Sequence, residues 1–237
     1  MQAVILAGGK GTRLRPFTAT LPKPLVPVGD YPIIEIVLRQ LKHFGFNDVV
    51  ISTGHLAELI QAYCGQGKRW GLKIRYVRED RPLGTSGALK LIRGLKSDFL
   101  TINGDILTTL DFRALLQFHR KRKAAATIGV CRRRTTIDFG VITLDGDARL
   151  EAYNEKPAYD YLVSMGVNVF DRRVLDLIGR DEPLGIPELI ARVRSVGDPV
   201  LGYRTDADWL DIGRPEDYEA VQEIFSSPEK RARYLRA

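Results

Sequence analysis

Cysteine and histidine are scarce in this chain of 237 residues. Its two cysteines, Cys64 and Cys131, both lie inside segments of regular pattern, so we expect free buried thiols rather than a disulfide. The three histidines, His43, His55 and His119, do not share the spacing of metal ligands, and we expect surface or helix-end positions for them. These shortages argue against a disulfide scaffold and against a zinc site.

Long apolar runs are missing as well. No segment approaches the run of about 18 apolar residues that a membrane-spanning helix needs. Met1 leads directly into an apolar segment, with no basic region or cleavage site ahead of it. We therefore expect a cytoplasmic protein without a membrane partner.

The charge is only moderately unbalanced, with 36 basic and 29 acidic residues and a net charge of +7. The densest basic clusters are Arg120–Lys123 and Arg132–Arg134, and neither has interleaved aromatic residues, as a single-strand stacking platform would. We expect a solvated helix end and a solvated loop, and no nucleic-acid partner. A modest positive field would still attract small polyanionic substrates.

The most informative stretch is ILAGGKGTRLRPFTATLPKPL, residues 5–25. The apolar run at residues 2–7 predicts a buried parallel strand, and the glycines begin where that strand should end. Gly8, Gly9 and Gly11 can adopt positive φ and let backbone N–H groups approach an anion. For the Gly-Gly pair alone, a flexible turn is the alternative.

Two cationic side chains strengthen the phosphate interpretation. Arg13 offers a planar fork to phosphate oxygens, and Lys23 lies between two prolines in an extended segment. A Walker A loop would need glycine where Val4 stands and Ser or Thr where Gly11 stands. A dinucleotide fingerprint would need glycine where Leu14 stands. The sequence therefore predicts a polyphosphate loop of another kind.

Strand and helix patterns alternate in the first half of the chain. Strands are predicted at 2–7, 49–52, 74–77 and 99–102, and helices at 31–44, 56–63 and 85–95. This alternation predicts an α/β fold with a mostly parallel sheet, helices on both faces and ligands beyond the carboxyl ends of the strands.

From about residue 124 strands predominate. They are predicted at 125–130, 141–144, 150–153 and 163–170, followed by helices at 172–178, 186–196 and 215–225 and a basic turn or two at 228–237. No linker composition marks a boundary, so we expect antiparallel additions to the same sheet within one domain spanning 1–237.

The ordered set LAGGKGTRLRPFTATLPKPL, RPLGTSGAL, NGD, FGV, EKP and WLDIGRPEDY resembles the sugar-phosphate nucleotidyltransferases, from Gln2 to about Tyr218. The chain stops where some members continue into a left-handed β-helix, so it resembles the short mannose-1-phosphate guanylyltransferase-like members. The resemblance implies a Rossmann-like three-layer fold, with a nucleotide-binding half at 1–123 and a sugar-phosphate-binding half at 124–237.

The same resemblance implies the site residues. The expected catalytic residues are Arg13, Lys23, Asp105 and Lys156. The expected nucleotide-binding residues are Leu6, Ala7, Gly8, Gly9, Gly11, Thr12, Arg13, Gly84 and Thr85. The sugar phosphate is expected at Gly140, Glu155, Lys156 and Gly166. For Glu155 and Lys156 alone, an exposed charge pair at a strand end is the alternative.

The nucleobase is expected against residues 83–87, where glycine lets a flat ring approach and the N–H groups of a helix start are available. An ordinary helix start capped by Thr85 or Ser86 is the alternative. One segment departs from the family pattern, because Ser164 and Met165 stand where an asparagine-containing pair is usual. We therefore do not infer the hydroxyl pattern of the sugar from the resemblance.

Two aspartates are predicted to share one Mg²⁺. Asp105 follows a predicted strand, and Asp211 lies in a second strand-end turn. Mg²⁺ usually takes one or two carboxylates, with substrate phosphates and water completing its coordination. An Asx turn at Asp105 and a helix cap at Asp211 are the alternatives.

The expected reaction joins a nucleoside triphosphate and a sugar 1-phosphate, with release of pyrophosphate. GTP and a manno-configured hexose or heptose 1-phosphate are the favoured partners. Uridylyl or thymidylyl transfer, and an inactive homologue that only binds nucleotide sugar, remain alternatives. Assembly into a homo-oligomer is left open.

Overall fold

The first half of the chain alternates strands and helices, and the second half adds mainly strands. The computed structural model describes residues 1–235, so Arg236 and Ala237, the end of the predicted C-terminal turn, lie outside the described residues. The strands are β1 Gln2–Ala7, β2 Pro27–Val28, β3 Tyr31–Pro32, β4 Asp48–Thr53, β5 Lys73–Arg78, β6 Asp98–Asn103, β7 Ile106–Thr108, β8 Ala126–Thr136, β9 Val141–Leu144, β10 Leu150–Asn154, β11 Ala158–Asp171, β12 Val200–Arg204 and β13 Trp209–Asp211. The helices are α1 Ile33–His43, α2 Ala57–Cys64, α3 Gly84–Lys90, α4 Phe112–Arg122, α5 Ile186–Ser195, α6 Pro215–Ser226 and α7 Pro228–Leu235.

A seven-stranded sheet in the order β12-β8-β11-β6-β1-β4-β5 forms the centre of the fold. Strand β1 pairs in parallel with β4 and β6, and β4 pairs in parallel with β5. Strand β11 is antiparallel to both β6 and β8, whereas β12 is parallel to β8. Because β11 alone runs against the others, the predicted mostly parallel mixed sheet with an antiparallel addition is confirmed.

Helices cover both faces of this sheet, which gives the predicted three-layer α/β arrangement. Alternate residues of β1 face opposite sides, so Ile5 belongs to one buried cluster and Val4 to the other. The Ile5 cluster includes the apolar faces of α1 and α4, and the Val4 cluster includes those of α3 and α5. Burial of these stripes holds the carboxyl ends of β1 and β6 side by side.

The predicted antiparallel additions divide into two groups. Strands β8 and β11 do join the central sheet, but β9 and β10 form a separate two-stranded antiparallel sheet. The prediction that all four would extend one sheet is therefore wrong. Both β9 and β10 are largely exposed, so they gain little from burial against the central sheet.

Two predicted helices are shorter or tighter than expected. Helix α3 ends at Lys90, and Gly94, with φ of 68°, turns the chain toward β6. Residues Arg172–Leu177 form 3-10 turns rather than an α-helix, and the Asp171 side chain accepts a hydrogen bond from the N–H of Arg173 at their start. Periodicity alone does not distinguish these turns from an α-helix.

Both thiols are free and buried, as predicted, and burial raises the pKa of Cys64 to about 12. His119 lies in the last turn of α4, as a helix-end histidine should, but it is buried rather than at the surface. Its Nδ1 lies 2.9 Å from Thr127 Oγ1. Among the described residues, none of the helices is long and apolar enough to cross a bilayer.

Candidate active site

A cleft of about 380 Å³ opens beyond the carboxyl ends of β1 and β6. It is lined by Leu6, Ala7, Gly8, Gly9, Gly11, Thr12, Arg13, Lys23, Pro24, Glu79, Pro82, Gly84, Thr85, Asn103, Gly104, Asp105 and Gly213. All nine residues expected to bind nucleotide are in this set, together with Lys23 and Asp105. The fold thus brings the expected nucleotide-binding half of the site together.

The glycine loop after β1 is closely packed rather than a loose turn. Gly11 has φ of 62°, and a Cβ there would lie 3.0 Å from a methyl carbon of Thr18 and 3.1 Å from Cβ of Lys23. The Thr18 hydroxyl donates to the Gly11 carbonyl at 2.7 Å. These contacts fix the path of the backbone between the strand and the two cationic side chains.

Lys23 is held at the centre of the cleft by an ion pair with Asp105. Its side chain is only 11% exposed, and that of Asp105 is 25% exposed. The first constraint is local, because Pro22 is extended and Pro24 follows Lys23 within a short 3-10 turn, Lys23–Leu25, rather than in the expected extended segment. The second constraint is tertiary, because the parallel pairing of β6 with β1 brings Asp105, which follows β6, to the same end of the sheet.

Asp105 and Asp211 converge, although they are far apart in the sequence. Strand β13 pairs antiparallel with β7, which places Asp211 opposite Ile106. The N–H of Ile212 donates to the carbonyl of Asp105 at 3.1 Å. Burial raises the pKa of Asp211, and the negative charge of Asp105 raises it further, whereas Lys23 lowers it.

This carboxylate pair suits a hard divalent cation that also binds substrate phosphates. Within residues 1–235, no group of three or more His, Cys, Asp or Glu side chains could hold a metal ion. Mg²⁺ needs only one or two carboxylates when phosphates and water supply its other ligands. Burial and the nearby Asp105 carboxylate raise the pKa of Asp211 although Lys23 and Arg13 lower it, and a divalent cation beside the two carboxylates would add further positive charge.

Glu79 is a cleft residue that the sequence analysis missed. It follows β5, and its Oε1 accepts from the Ser52 hydroxyl at 3.2 Å while its Oε2 accepts from the N–H of Leu83 at 3.0 Å. A Cβ on Gly8 would lie 2.3 Å from the Glu79 carboxylate, so the glycine loop and this side chain are in direct contact. Its position just after a parallel strand was the only signal in the sequence.

The segment expected to meet the nucleobase is tied to the protein itself. The N–H groups of Ser86 and Gly87 both donate to the carbonyl of Leu184, at 2.9 and 3.1 Å. The expectation that helix-start donors are available to a ligand is therefore wrong for the N–H groups of Ser86 and Gly87. The capping alternative is also wrong, because no side chain caps α3 and the Thr85 hydroxyl accepts from the N–H of Ile186 at 2.9 Å.

Gly84 has a packing reason to be glycine. Its φ is 71°, and a Cβ would lie 2.6 Å from the carbonyl oxygen of Leu184. Gly84 and Thr85 nevertheless line the cleft. The absence of a side chain at Gly84 therefore allows the close approach of the Leu184 backbone.

The residues expected to bind the sugar phosphate lie outside the lining of the cleft. Lys156 is exposed with φ of 44°, and Glu155 accepts from the hydroxyl of Tyr153 at 3.2 Å. A Cβ on Gly140 would lie 2.5 Å from that hydroxyl, so Tyr153 occupies the space at Gly140 that was expected to admit a sugar ring. Gly166 is closer to the cleft, because a Cβ there would lie 2.7 Å from the amide nitrogen of Asn103.

Comparisons with known proteins agree with this geometry. A family model described as nucleotidyl transferase matches residues 2–227. The chain is 35% identical to a mannose-1-phosphate guanylyltransferase of Mycobacterium tuberculosis, over 98% of this chain and 67% of that protein. It is 30% identical to a D-glycero-alpha-D-manno-heptose 1-phosphate guanylyltransferase of Aneurinibacillus thermoaerophilus, over 94% of this chain and 97% of that protein.

Other similar proteins are named for the transfer of a different nucleotide. A UTP–glucose-1-phosphate uridylyltransferase of Synechocystis is 33% identical over 95% of this chain, and the chain spans only 64% of its length. A solved structure of a putative glucose-1-phosphate thymidylyltransferase from Bacillus anthracis superposes with a TM-score of 0.75 at 24% identity, covering 94% of each chain. That structure supports the fold.

Proposed function

Because this chain belongs to the nucleotidyl transferase family, we propose that it transfers the guanylyl group of GTP to a manno-configured hexose or heptose 1-phosphate and releases pyrophosphate. This proposal is carried by one cleft that is lined by the glycine loop, Arg13, Lys23 and Asp105. Asp211 lies outside that lining, but it is close to the cleft-lining Gly213 and interacts with Asp105. In this proposal Arg13 and Lys23 neutralise the triphosphate, and the two carboxylates would hold a divalent cation.

In the proposed reaction, an oxygen of the sugar phosphate attacks the α-phosphorus in line, and the bond from that phosphorus to the pyrophosphate oxygen breaks. The Arg13 fork and the loop N–H groups bind the departing phosphates. Lys23, held in place by Asp105, neutralises the α-phosphate. Asp105 and Asp211 would hold Mg²⁺, which supplies positive charge to the reacting phosphates when bound.

Glu79 supports guanine as the base. Guanine presents two adjacent donors, the ring N–H and the exocyclic amino group, and a carboxylate can accept from both. Uracil and thymine present one N–H between two carbonyl oxygens, which a carboxylate repels. The contacts of Glu79 with Ser52 and Leu83 fix its carboxylate beside Gly84 and leave further acceptor positions open.

The sugar end of the proposal rests on Glu155 and Lys156. Lys156 would neutralise the sugar phosphate and Glu155 would accept hydrogen bonds from sugar hydroxyls. Both lie in the short link between β10 and β11, and β11 leads to Gly166 beside the cleft-lining Asn103. The mannose and heptose guanylyltransferases among the similar proteins support a manno-configured sugar. We also propose a cytoplasmic location, where nucleoside triphosphates are available.

The test crosses GTP, ATP, CTP, UTP and dTTP with the 1-phosphates of mannose, manno-heptose, glucose and galactose, and measures pyrophosphate release in Mg²⁺. We expect release only when both substrates are present, with GTP and a manno-configured sugar giving the highest kcat/KM. Preference for UTP or dTTP would overturn the guanylyl assignment. Binding of nucleotide sugar without turnover of any pair would identify an inactive homologue.

Arg13 and Arg15 provide a matched pair of variants. Arg13 lines the cleft, whereas Arg15 is exposed two residues further along and does not line it. Arg13→Lys should lower kcat/KM because a point charge replaces a bidentate fork, and Arg15→Lys should leave the rate near that of the wild type. Equal rates in both variants would remove Arg13 from the proposed site.

A further inference from the structure

Strand β11 is irregular at the segment that is expected to meet the sugar. Its register against β8 shifts between Ser164 and Asn168, where three residues of β11 lie opposite one residue of β8. We call these three residues, 165–167, the β11 bulge. Bulges are frequent next to active sites, where they change the direction of a strand.

The β11 bulge brings backbone, rather than a long side chain, toward the cleft. Met165 is fully buried, and Gly166 has φ of 68°. A Cβ on Gly166 would lie 2.7 Å from the amide nitrogen of Asn103, which lines the cleft. Within β11 itself, the N–H of Gly166 makes only a long contact of 3.4 Å with the Ser164 hydroxyl. The position of Gly166 therefore depends on contacts with other segments.

Trp209 of β13 provides such a contact. Its indole N–H donates to the carbonyl of Met165 at 2.8 Å. Because Met165 is fully buried, its carbonyl would be costly to leave without a donor. The Arg133 guanidinium lies over the indole ring, 5.6 Å from the ring centroid, and so helps to orient it. An indole has only one donor, and here that donor is used on the bulge.

The backbone that carries this indole is itself firmly held. Trp209 pairs with Thr108 of β7. The carbonyl of the preceding Asp208 accepts from the Thr108 hydroxyl at 2.6 Å and from the N–H of Thr109 at 3.1 Å. Asp211 follows two residues after Trp209, so both side chains leave β13 on the same side. One short strand therefore carries the proposed metal carboxylate and the donor that holds the bulge.

We propose that Trp209 is a positioning residue for the sugar 1-phosphate. Its N–H holds the β11 bulge so that Gly166 lies at the edge of the cleft, and its strand fixes the bulge relative to Asp211. This inference rests on the proposed function, because the sugar phosphate is the ligand that the bulge would meet. An apolar ring of similar size would fill the space but would leave the Met165 carbonyl without its donor.

Three variants separate the donor from the bulk of the ring. Trp209→Phe keeps an aromatic ring and removes the N–H. Trp209→His removes the six-membered ring but can keep a donor, because imidazole Nε2 corresponds to indole Nε1 when the five-membered rings are superposed. Trp70→Phe is the matched control, since Trp70 is the only other tryptophan, is also half-buried against the same core cluster and does not line the cleft.

Steady-state kinetics with GTP and mannose 1-phosphate give the first measurement. Trp209→Phe should raise the KM for the sugar phosphate about 10-fold, the scale of one lost hydrogen bond to a buried group. The KM for GTP should stay within about twofold of the wild-type value. Trp209→His should keep the sugar KM within about threefold of wild type, and Trp70→Phe should change neither KM. A purely structural tryptophan would instead lower Tm, the active fraction and kcat without raising the KM of one substrate alone.

Hydrogen exchange of the free protein, followed by mass spectrometry, gives a second measurement that needs no substrate. The peptide that contains the β11 bulge should exchange at least about 10-fold faster in Trp209→Phe than in the wild type. The same peptide should exchange at nearly the wild-type rate in Trp209→His and in Trp70→Phe. Unchanged exchange in Trp209→Phe would overturn the proposal, because the indole N–H would then not hold the bulge.

An unchanged sugar KM in folded, active Trp209→Phe would also overturn it, as would equal increases in the Phe and His variants. If Trp209→Phe does not fold, benzothienylalanine at position 209 provides the same test, because sulfur replaces the N–H in a ring of nearly the same shape. A wild-type protein that turns over no pair of the substrate panel would reject the proposed function and this inference with it. Turnover with an unchanged sugar KM in the variant would reject the inference alone.

Discussion

Replacement of Glu79 by glutamine tests the most specific feature of the proposed nucleotide site. The fold should tolerate this change because both present contacts can be kept. The amide oxygen can accept from the N–H of Leu83, where Oε2 now accepts at 3.0 Å, and the amide NH₂ can donate to the Ser52 hydroxyl, now 3.2 Å from Oε1. The variant therefore changes charge and donor pattern with little change in shape.

The expected effect follows from the number of guanine donors. A hydrogen bond to a charged acceptor contributes about 1.5–3 kcal/mol, and an amide presents one donor and one acceptor where the carboxylate presented two acceptors. Losing one charge-assisted contact should lower kcat/KM for GTP by about 10- to 100-fold, since 1.4 kcal/mol is a factor of ten. The efficiency with UTP should rise, because uracil offers the matching N–H and carbonyl.

The assay measures pyrophosphate release with GTP and with UTP at a fixed sugar 1-phosphate concentration, together with a thermal melt. Ser52→Ala is the control, because it removes a hydroxyl contact of Glu79 without changing the charge. An unchanged ratio of GTP to UTP efficiency in a folded Glu79→Gln protein would refute the assignment of the base to Glu79.

Three further outcomes are expected. Asp105→Asn and Asp211→Asn should each lower kcat by about 100-fold or more, the scale of one lost transition-state contact. Asp211→Asn should also raise Tm in EDTA, because burial and the nearby Asp105 carboxylate raise the pKa of Asp211. A lowered Tm with full activity would contradict the shared metal site. Gly84→Ala should cost about 2–5 kcal/mol in urea unfolding, from left-handed strain and a backbone clash, whereas Gly94→Ala, with φ of 68° and open space around it, should cost only about 1–2. Burial lowers the pKa of His119 below its ordinary value of 6.5, so stability should be constant above about pH 6.5 and fall as pH drops through the interval below it; an equal slope in His119→Gln would contradict this.

The nucleotide half of the site was largely predictable from the sequence. Strand β1 has the predicted bounds, and the glycines, Arg13 and Lys23 are close together in the chain, so local geometry limits where they can lie. Their exact roles remain predictions, but their common location at one cleft followed from a strand that ends in a glycine loop.

The strand pairings that complete the site were decided by tertiary structure. Nothing in the sequence around Asp211 indicates that β13 pairs with β7, which is what places this carboxylate beside Asp105. Glu79 was missed for a similar reason. Its importance comes from contacts with Ser52 and with the loop at Gly8, and these depend on the parallel neighbours of β1 rather than on a local motif.

The sequence by itself determined the alternating strands and helices of the first half, the buried thiols and the glycine loop, because these depend on periodicity, burial and backbone freedom within short segments. It did not predict β7, β12 or β13. Tertiary structure decided that the N–H groups of α3 serve Leu184, and that Tyr153 lies at Gly140. It also decided that β9 and β10 form a ribbon apart from the central sheet. Each of these outcomes depends on contacts between segments that are distant in the sequence. Such contacts form only when the whole chain packs.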